Sequence, residues 1–260
     1  MINKIITIVA EVAKEIAADL FLIGATARDI HFDKYKIKAN AKTLDIDFGV
    51  SVGGMENYEK LKSILVNEKN FRLDPTQQQR IYYQTIPVDL IPFGEEVGNN
   101  EKVDWSDGFS MSIVGFQEAY DSSETIEVDS KSIRVVSLCG LFLLKLIAWN
   151  ELPSRGKDAE DMASILYGYV DAHLERVLEV ASENEEDIEQ ASARLLGRDL
   201  KRISSPRTAK LLLEILKREC DERGRLQLPG QMLRTLVPGK ENALEVVVNR
   251  LNIVVEELSK

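Results

Sequence analysis

The sequence predicts an α+β protein: a mixed sheet with helices over residues 1–136, followed by an all-helical lobe over 137–260. Two observations carry this. Before residue 136, apolar runs such as Leu20-Phe-Leu-Ile23 and Ile133-Arg-Val-Val136 have strand length or alternate with a period of two. From Leu138 onward apolar residues recur at i, i+3 and i+4, the helical period. No flexible linker, internal repeat or low-complexity segment separates the halves.

Each element follows from local pattern. Residues 3–19 read as an amphipathic helix, 20–23 as a strand, 25–32 as a helix and 43–50 as a strand reached through a polar, lysine-rich connection at 34–42. A helix over 55–69 precedes strands near 70–74, 79–84 and 86–92, and a polar loop runs from Gly94 to Gly108. Strands near 111–117 and 125–135 are expected to extend the sheet. Helices then follow at 138–152, 158–169, 171–180, 184–196, 206–222 and 240–258.

With 260 residues, 44% hydrophobic and 29% charged, the chain has an ordinary globular composition, long enough for two modest domains. Lys4, Glu11 and Lys14 break up the first helix, which is too short and too charged for a signal h-region or a membrane span. No other run reaches 18 apolar residues, so a cytoplasmic protein with no membrane partner is expected. Cys139 and Cys220 are far apart in apolar contexts and read as buried thiols. His31 and His173 share no motif, and each reads as structural or exposed. A net charge of −10 argues against a general nucleic-acid coat, whose binding depends on Lys and Arg displacing counterions.

Three aspartates stand where strands disfavour them. Asp45 and Asp47 lie in Thr43-Leu-Asp-Ile-Asp-Phe-Gly49, and Asp89 lies in Ile86-Pro-Val-Asp-Leu-Ile91. In an extended strand Asp45 and Asp47 share a face about 7 Å apart, while Leu44, Ile46 and Phe48 enter the core. Their repulsion calls for a hard dication, Mg²⁺ or Mn²⁺, and Asp89 on a neighbouring strand would complete its carboxylate set. Upstream, Gly24-Ala-Thr-Ala-Arg-Asp29 turns the 20–23 strand into a helix. The free N–H groups of that turn favour a phosphate through hydrogen bonds and the helix dipole. A phosphate site followed by Asp-x-Asp and a third strand aspartate points to phosphoryl-group chemistry.

These segments resemble the DNA polymerase β-like nucleotidyltransferase superfamily and, within it, the AbiEii/AbiGii-type nucleotidyltransferase toxins. Gly24-Ala-Thr-Ala27 is similar to their Gly-Gly-Thr-Ala stretch, and Thr43-Leu-Asp-Ile-Asp-Phe48 to their Thr-x-Asp-Ile-Asp-Phe strand. A further block, Leu144 to Asp158, is similar to their Lys-Leu, Arg, Lys-Asp pattern, and the blocks occur in the same order over most of residues 1–165. Ala25 departs from the Gly or Ser of relatives, leaving phosphate contact to the backbone and Thr26. The resemblance implies a polymerase β-like lobe followed by a helical one, and NMP transfer from a nucleoside triphosphate to RNA, such as a tRNA 3′ end. It also implies toxin activity restrained by an antitoxin encoded nearby.

The roles follow in turn. Asp45 and Asp47 would hold two metals, and Asp89 would ligate the acceptor-side metal and take the hydroxyl proton. Gly24, Ala25 and Thr26 would cradle the phosphates, with Arg28 and Lys145 neutralising charge. Lys145 sits among Leu143, Leu144, Leu146 and Ile147, so it must meet an anion or snorkel outward. A helix packed on the sheet would aim it at the triphosphate. Asp158 reads as an N-cap or first-turn acid that, by resemblance, also orients Lys145 or the acceptor. Arg155 and Lys157 in the turn after Pro153, and Arg194, Arg198, Lys201 and Arg202 in a basic stretch, are candidate acceptor contacts; that stretch equally fits a solvated helix face. Leu195-Leu-Gly-Arg-Asp-Leu200 resembles a C-terminal block of the toxins, which singles out Arg198 and Asp199. Two alternatives remain: a small-molecule, antibiotic-type nucleotidyltransferase, favoured if acids such as Asp104 and Asp107 line an acceptor pocket, or an inactive binding module.

Overall fold

The computed structural model describes residues 1–37, 45–97, 101–106, 108, 110–221, 223–235 and 242–260. Thr43, Leu44 and Asp107, and most of the lysine-rich connection, lie outside the described residues. The chain divides into two units, one of residues 1–29 and 41–137, the other of 30–40 and 138–260.

The first unit is a seven-stranded mixed sheet with helices. Its elements in chain order are α1 (Ile2–Glu15), β1 (Asp19–Ile23), the start of α2 (Gly24–Tyr35), β2 (Ile46–Ser51), α3 (Met55–Glu68), β3 (Phe71–Leu73), β4 (Arg80–Tyr83), β5 (Ile86–Phe93), β6 (Lys102–Asp104), β7 (Ser110–Ser112), α4 (Phe116–Asp121), β8 (Glu124–Val128) and β9 (Lys131–Val135). The sheet order is β3-β4-β5-β2-β1-β9-β8. Strand β2 lies at its centre, antiparallel to β1 and parallel to β5. That position suits its burial: Ile46, Phe48 and Val50 are wholly buried, as are Val88 and Leu90 of β5. The buried stripes of α1 (Ile5, Ile6, Val9, Val12) and α3 (Tyr58, Leu61, Leu65) add to the core. The Tyr58 hydroxyl donates to the Leu90 carbonyl at 2.9 Å, which ties α3 to β5 one residue beyond Asp89.

Two expectations fail in this unit. Residues 111–117 do not extend the sheet: among the described residues β7 pairs only with β6 in a separate two-stranded ribbon, and β6 forms inside the 94–108 stretch read as loop. The chain then turns into α4. Gly115, in the left-handed region at φ 85°, opens that helix. Phe116 and Tyr120, one helical turn apart, then pack edge-on against Phe21. The aromatic payload sets the local structure here, over a short alternating pattern. Phe21 also presses on Gly49, where a Cβ would come within 2.1 Å of its ring.

The second unit is all helical among the described residues. It contains the end of α2, then α5 (Leu138–Glu151), α6 (Gly156–Ala172), α7 (Leu174–Asn184), α8 (Ile188–Ile203), α9 (Pro206–Cys220), α10 (Gln227–Met232), a 3₁₀ turn (Leu233–Thr235) and α11 (Ala243–Ser259). Helix α5 is apolar on nearly every side and is its buried centre. Asp187 accepts from the Gln190 N–H and so starts α8 at Ile188 rather than at 184. Ser205 caps α9 in the same way, with Pro206 in the first turn. Helix α10 is absent from the sequence reading because Pro229 and Gly230 signal a break. It forms because Leu228 and Met232 are buried on one face and Gln231 accepts from the Trp149 indole N–H at 2.7 Å. Both cysteines are buried free thiols, and burial, with the Glu219 charge, pushes Cys220 up to about 12. His31 is fully buried, stacked on Tyr35.

Candidate active site

Two of the three aspartates lie in one row of the sheet. Asp47 of β2 is the register partner of Asp89 of the parallel strand β5 and of Ile23 of β1. Partnered residues of adjacent strands share a face, so both carboxylates rise from the same side. Arg80 of β4 is in turn the register partner of Asp89. The row therefore reads Arg80, Asp89, Asp47, Ile23, and chain continuity places Gly24 at its end. Asp45 immediately precedes β2.

Close approaches fasten this row to the start of α2. Gly24 adopts φ +72°, and a Cβ there would fall 2.0 Å from Asp47 Oδ2. Glycine is required on both counts, conformation and space. The Thr26 hydroxyl, nearly buried, donates to the Asp45 main-chain carbonyl at 2.7 Å. That bond ties the start of α2 to the entrance to β2. Ala25 follows Gly24 in the first turn of α2. Arg28 is buried and donates through Nε and Nη2 to Asp29 at 3.0 and 2.6 Å.

Asp89 is held by an arginine. Arg80 Nε and Nη2 donate to its two carboxylate oxygens, both at 2.7 Å. This fork is the strong geometry for an arginine–carboxylate pair. The Asp89 hydrogen bond, opposed by burial and reinforced by the charges of Asp89 and Asp45, raises Arg80 above its ordinary range. Its guanidinium is therefore within electrostatic reach of two of the three aspartates.

Magnesium takes oxygen donors, commonly one or two carboxylates together with waters and substrate phosphates. Asp45 and Asp47 fit that requirement in type and number. Asp89 carries Arg80 on both oxygens, so a metal there would share those oxygens or displace the guanidinium. Among the described residues no three His, Cys, Asp or Glu side chains gather closely enough to hold a metal ion. Asp45, Asp47 and Asp89 thus stand on two adjacent, parallel-paired segments, with Arg80 bound to Asp89.

Lys145 belongs to the helical unit, where it bridges Asp158 Oδ1 at 2.8 Å and Asp161 Oδ2 at 2.7 Å. All three side chains are largely withdrawn from water, at 15%, 3% and 9% exposure respectively. Burial pulls the ammonium down, but the charges of Asp161 and Asp158 outweigh it and leave Lys145 raised. Asp158 stands in the first turn of α6, whose N-cap is Arg155, and its carboxylate pairs with Lys145 and, at 3.1 Å, with Arg155. Asp161 went unnoticed in the sequence. Its only signal was the i, i+3 spacing from Asp158, which puts two acids on one helix face.

The basic stretch is divided between a buried arginine and exposed cations. Arg194 is buried and donates to Glu186 Oε2 at 2.8 Å and Glu257 Oε1 at 2.5 Å. Arg198 pairs with Glu183 at 3.0 Å, and Arg202 with Asp199 at 3.3 Å. Asp199 is a buried hub that accepts from the Tyr169 hydroxyl at 2.7 Å and from both terminal nitrogens of Arg176. Of the six expected acceptor contacts, Lys157, Lys201, Arg155 and Arg202 are exposed, whereas Arg194 is an internal strut. Asp104 is exposed on β6.

No family model matches the chain, and no curated protein matches it significantly. Among solved structures it is similar to the antibiotic-resistance factor ANT(2'')-Ia, at 15% identity over 70% of this chain and 95% of that one, with a TM-score of 0.43. It is also similar to an antigenic nucleotidyltransferase-like protein from Paracoccidioides brasiliensis, at 12% identity over 74% and 91%, with a TM-score of 0.45. Both scores are too low for either likeness to assign a fold or an activity. Among the described residues, no helix is long and apolar enough to cross a membrane.

Proposed function

We propose that this chain is a nucleotidyltransferase that moves NMP from a nucleoside triphosphate to an acceptor hydroxyl. The observation that carries the reading is the row Asp89–Asp47 ending at Gly24, where a glycine-started helix meets strand carboxylates. Carboxylates placed in the middle of a sheet cost stability and call for a cationic ligand. The N-terminus of α2 offers N–H groups to phosphate. Asp45 and Asp47 would hold Mg²⁺ or Mn²⁺, which when bound neutralises the triphosphate and lowers the pKa of the attacking hydroxyl. The chain's own part is to align that hydroxyl with the α-phosphate, so that the new P–O bond forms as the bond to pyrophosphate breaks and pyrophosphate leaves; a released Asp89 would accept the hydroxyl's proton.

The resemblance of residues 1–165 to the AbiEii/AbiGii toxins supports an RNA acceptor, such as a tRNA 3′ end, and an antitoxin partner. The ion pairs of Arg194, Arg198 and Arg202 weigh against that stretch as the RNA grip. A small-molecule acceptor is therefore the second reading. Incubation with each labelled triphosphate, Mg²⁺ and either total RNA or an aminoglycoside separates the two. Labelled RNA from the wild type but not from Asp47→Asn is the expected result. Label on the aminoglycoside alone selects the second reading, and label on neither, with every triphosphate, refutes nucleotidyl transfer.

A further inference from the structure

Arg80 lies outside every motif of the sequence reading, yet it makes the most specific polar contact of the aspartate row. Both of its bonds to Asp89 are 2.7 Å long, and the two residues are cross-strand partners, so strand pairing as well as charge holds them together. The pair is mostly withdrawn from water, at 22% and 15% side-chain exposure. On its other side Asp89 has Asp47 as register partner, and the charge of Asp45 also reaches the guanidinium. A cation thus stands among carboxylates that a divalent ion would need, with a hydrogen bond to each oxygen of one of them. A divalent ion that binds Asp89 must share those oxygens with the guanidinium or displace it.

Building on the nucleotidyl-transfer reading, we propose that Arg80 is a resident cation of the aspartate row, a positioning residue that competes with a divalent ion for Asp89. Asp89 then joins Asp45 and Asp47 only when Arg80 lets go. The displaced guanidinium, still anchored on β4 beside the row, is free to pair with a phosphate oxygen of the incoming nucleotide, for which its planar fork is suited. The arrangement makes metal capture depend on nucleotide, since the triphosphate offers Arg80 a replacement anion.

Manganese binding to the full chain, followed by the loss of the free-ion paramagnetic signal, tests this without relying on turnover. In the absence of nucleotide, Arg80→Gln should bind Mn²⁺ about 10- to 100-fold tighter than wild type, the range expected when a charged hydrogen-bonded competitor is removed. Arg80→Gln/Asp89→Asn should lose that gain. A non-hydrolysable triphosphate should tighten Mn²⁺ binding in the wild type and do so much less in Arg80→Gln. If Arg80→Gln unfolds, Arg80→Lys, which keeps one charge but not the fork, should show an intermediate gain. Equal affinity of wild type and the folded Arg80 variant, or a gain that survives Asp89→Asn, overturns the proposal while NMP labelling by the wild type keeps the transferase reading. Absence of Mn²⁺ binding in every variant, with and without nucleotide, overturns both.

Discussion

Replacing Lys145 by methionine should cost the protein far more stability than its position in a nucleotide-site motif implies. The ammonium neutralises Asp158 and Asp161 at 2.8 and 2.7 Å. Methionine fills a similar volume but leaves two carboxylates in a setting where water cannot replace the lost partner. Breaking a buried pair by removing one member costs about 3–5 kcal/mol, and Arg155, half exposed at 3.1 Å from Asp158, offsets only part of that. At roughly 2–4 °C per kcal/mol for a chain of this size, Tm should fall by about 10–15 °C at pH 7. The sign with pH is distinctive. In the wild type the raised Lys145 contributes stability that is full below its unfolded value and is lost only as pH climbs through the raised one. The variant lacks that contribution at every pH, so its deficit should hold through neutral pH and shrink only at alkaline pH, as the wild type loses the ammonium charge. Calorimetry or far-UV melting across that range reads both effects, and Lys145→Met/Asp158→Asn/Asp161→Asn should recover much of the loss. A melting temperature within about 2 °C of wild type, combined with lost triphosphate use, would refute the reasoning and return Lys145 to the substrate.

Gly24→Ala should lower stability by about 1 kcal/mol for the left-handed backbone alone, and more for the clash with Asp47 Oδ2, and it should remove transfer; denaturant unfolding beside NMP labelling measures both. Asp47→Asn keeps the shape of the row, so its Tm should match or exceed wild type without metal while labelling drops roughly 100-fold or more; near-normal labelling would dismiss Asp47 as a metal-holding group. Burial pushes the Asp199 carboxyl up, but bonds from Arg176 and Tyr169 and the charges of Arg176 and Arg202 hold it below its ordinary value. Its stabilisation is thus present above pH of about 4 and lost as pH falls through the lowered value, so Asp199→Asn should destabilise at pH 7 and flatten the acid limb of the Tm-against-pH curve.

Some of the site was written in short-range pattern. Asp45 and Asp47 stand out because strands reject aspartate, and Gly24 because a strand that turns directly into a helix needs such a residue. The helical half was equally plain, since period 3.6 persists through α6, α7, α8, α9 and α11. The Arg80–Asp89 pair was within reach too. The two-residue connection Gln84-Thr85 sets Tyr83 opposite Ile86, and counting back along that register puts Arg80 opposite Asp89.

Charge partnership was not written there. Arg194 looked like one more cation in a basic stretch, but its buried partner Glu257 lies 63 residues away, on a helix whose packing no local period encodes. Lys145 looked like an ammonium in search of a phosphate until α6 was seen to bring Asp158 and Asp161 against it. Residue types and their spacing determine which side chains share a strand or a helix face, because covalent geometry repeats every two or 3.6 residues. Which opposite charge each face meets depends on how separate elements pack. Here only the tertiary structure decided that Lys145 meets two aspartates and that Arg194 is buried against Glu186 and Glu257.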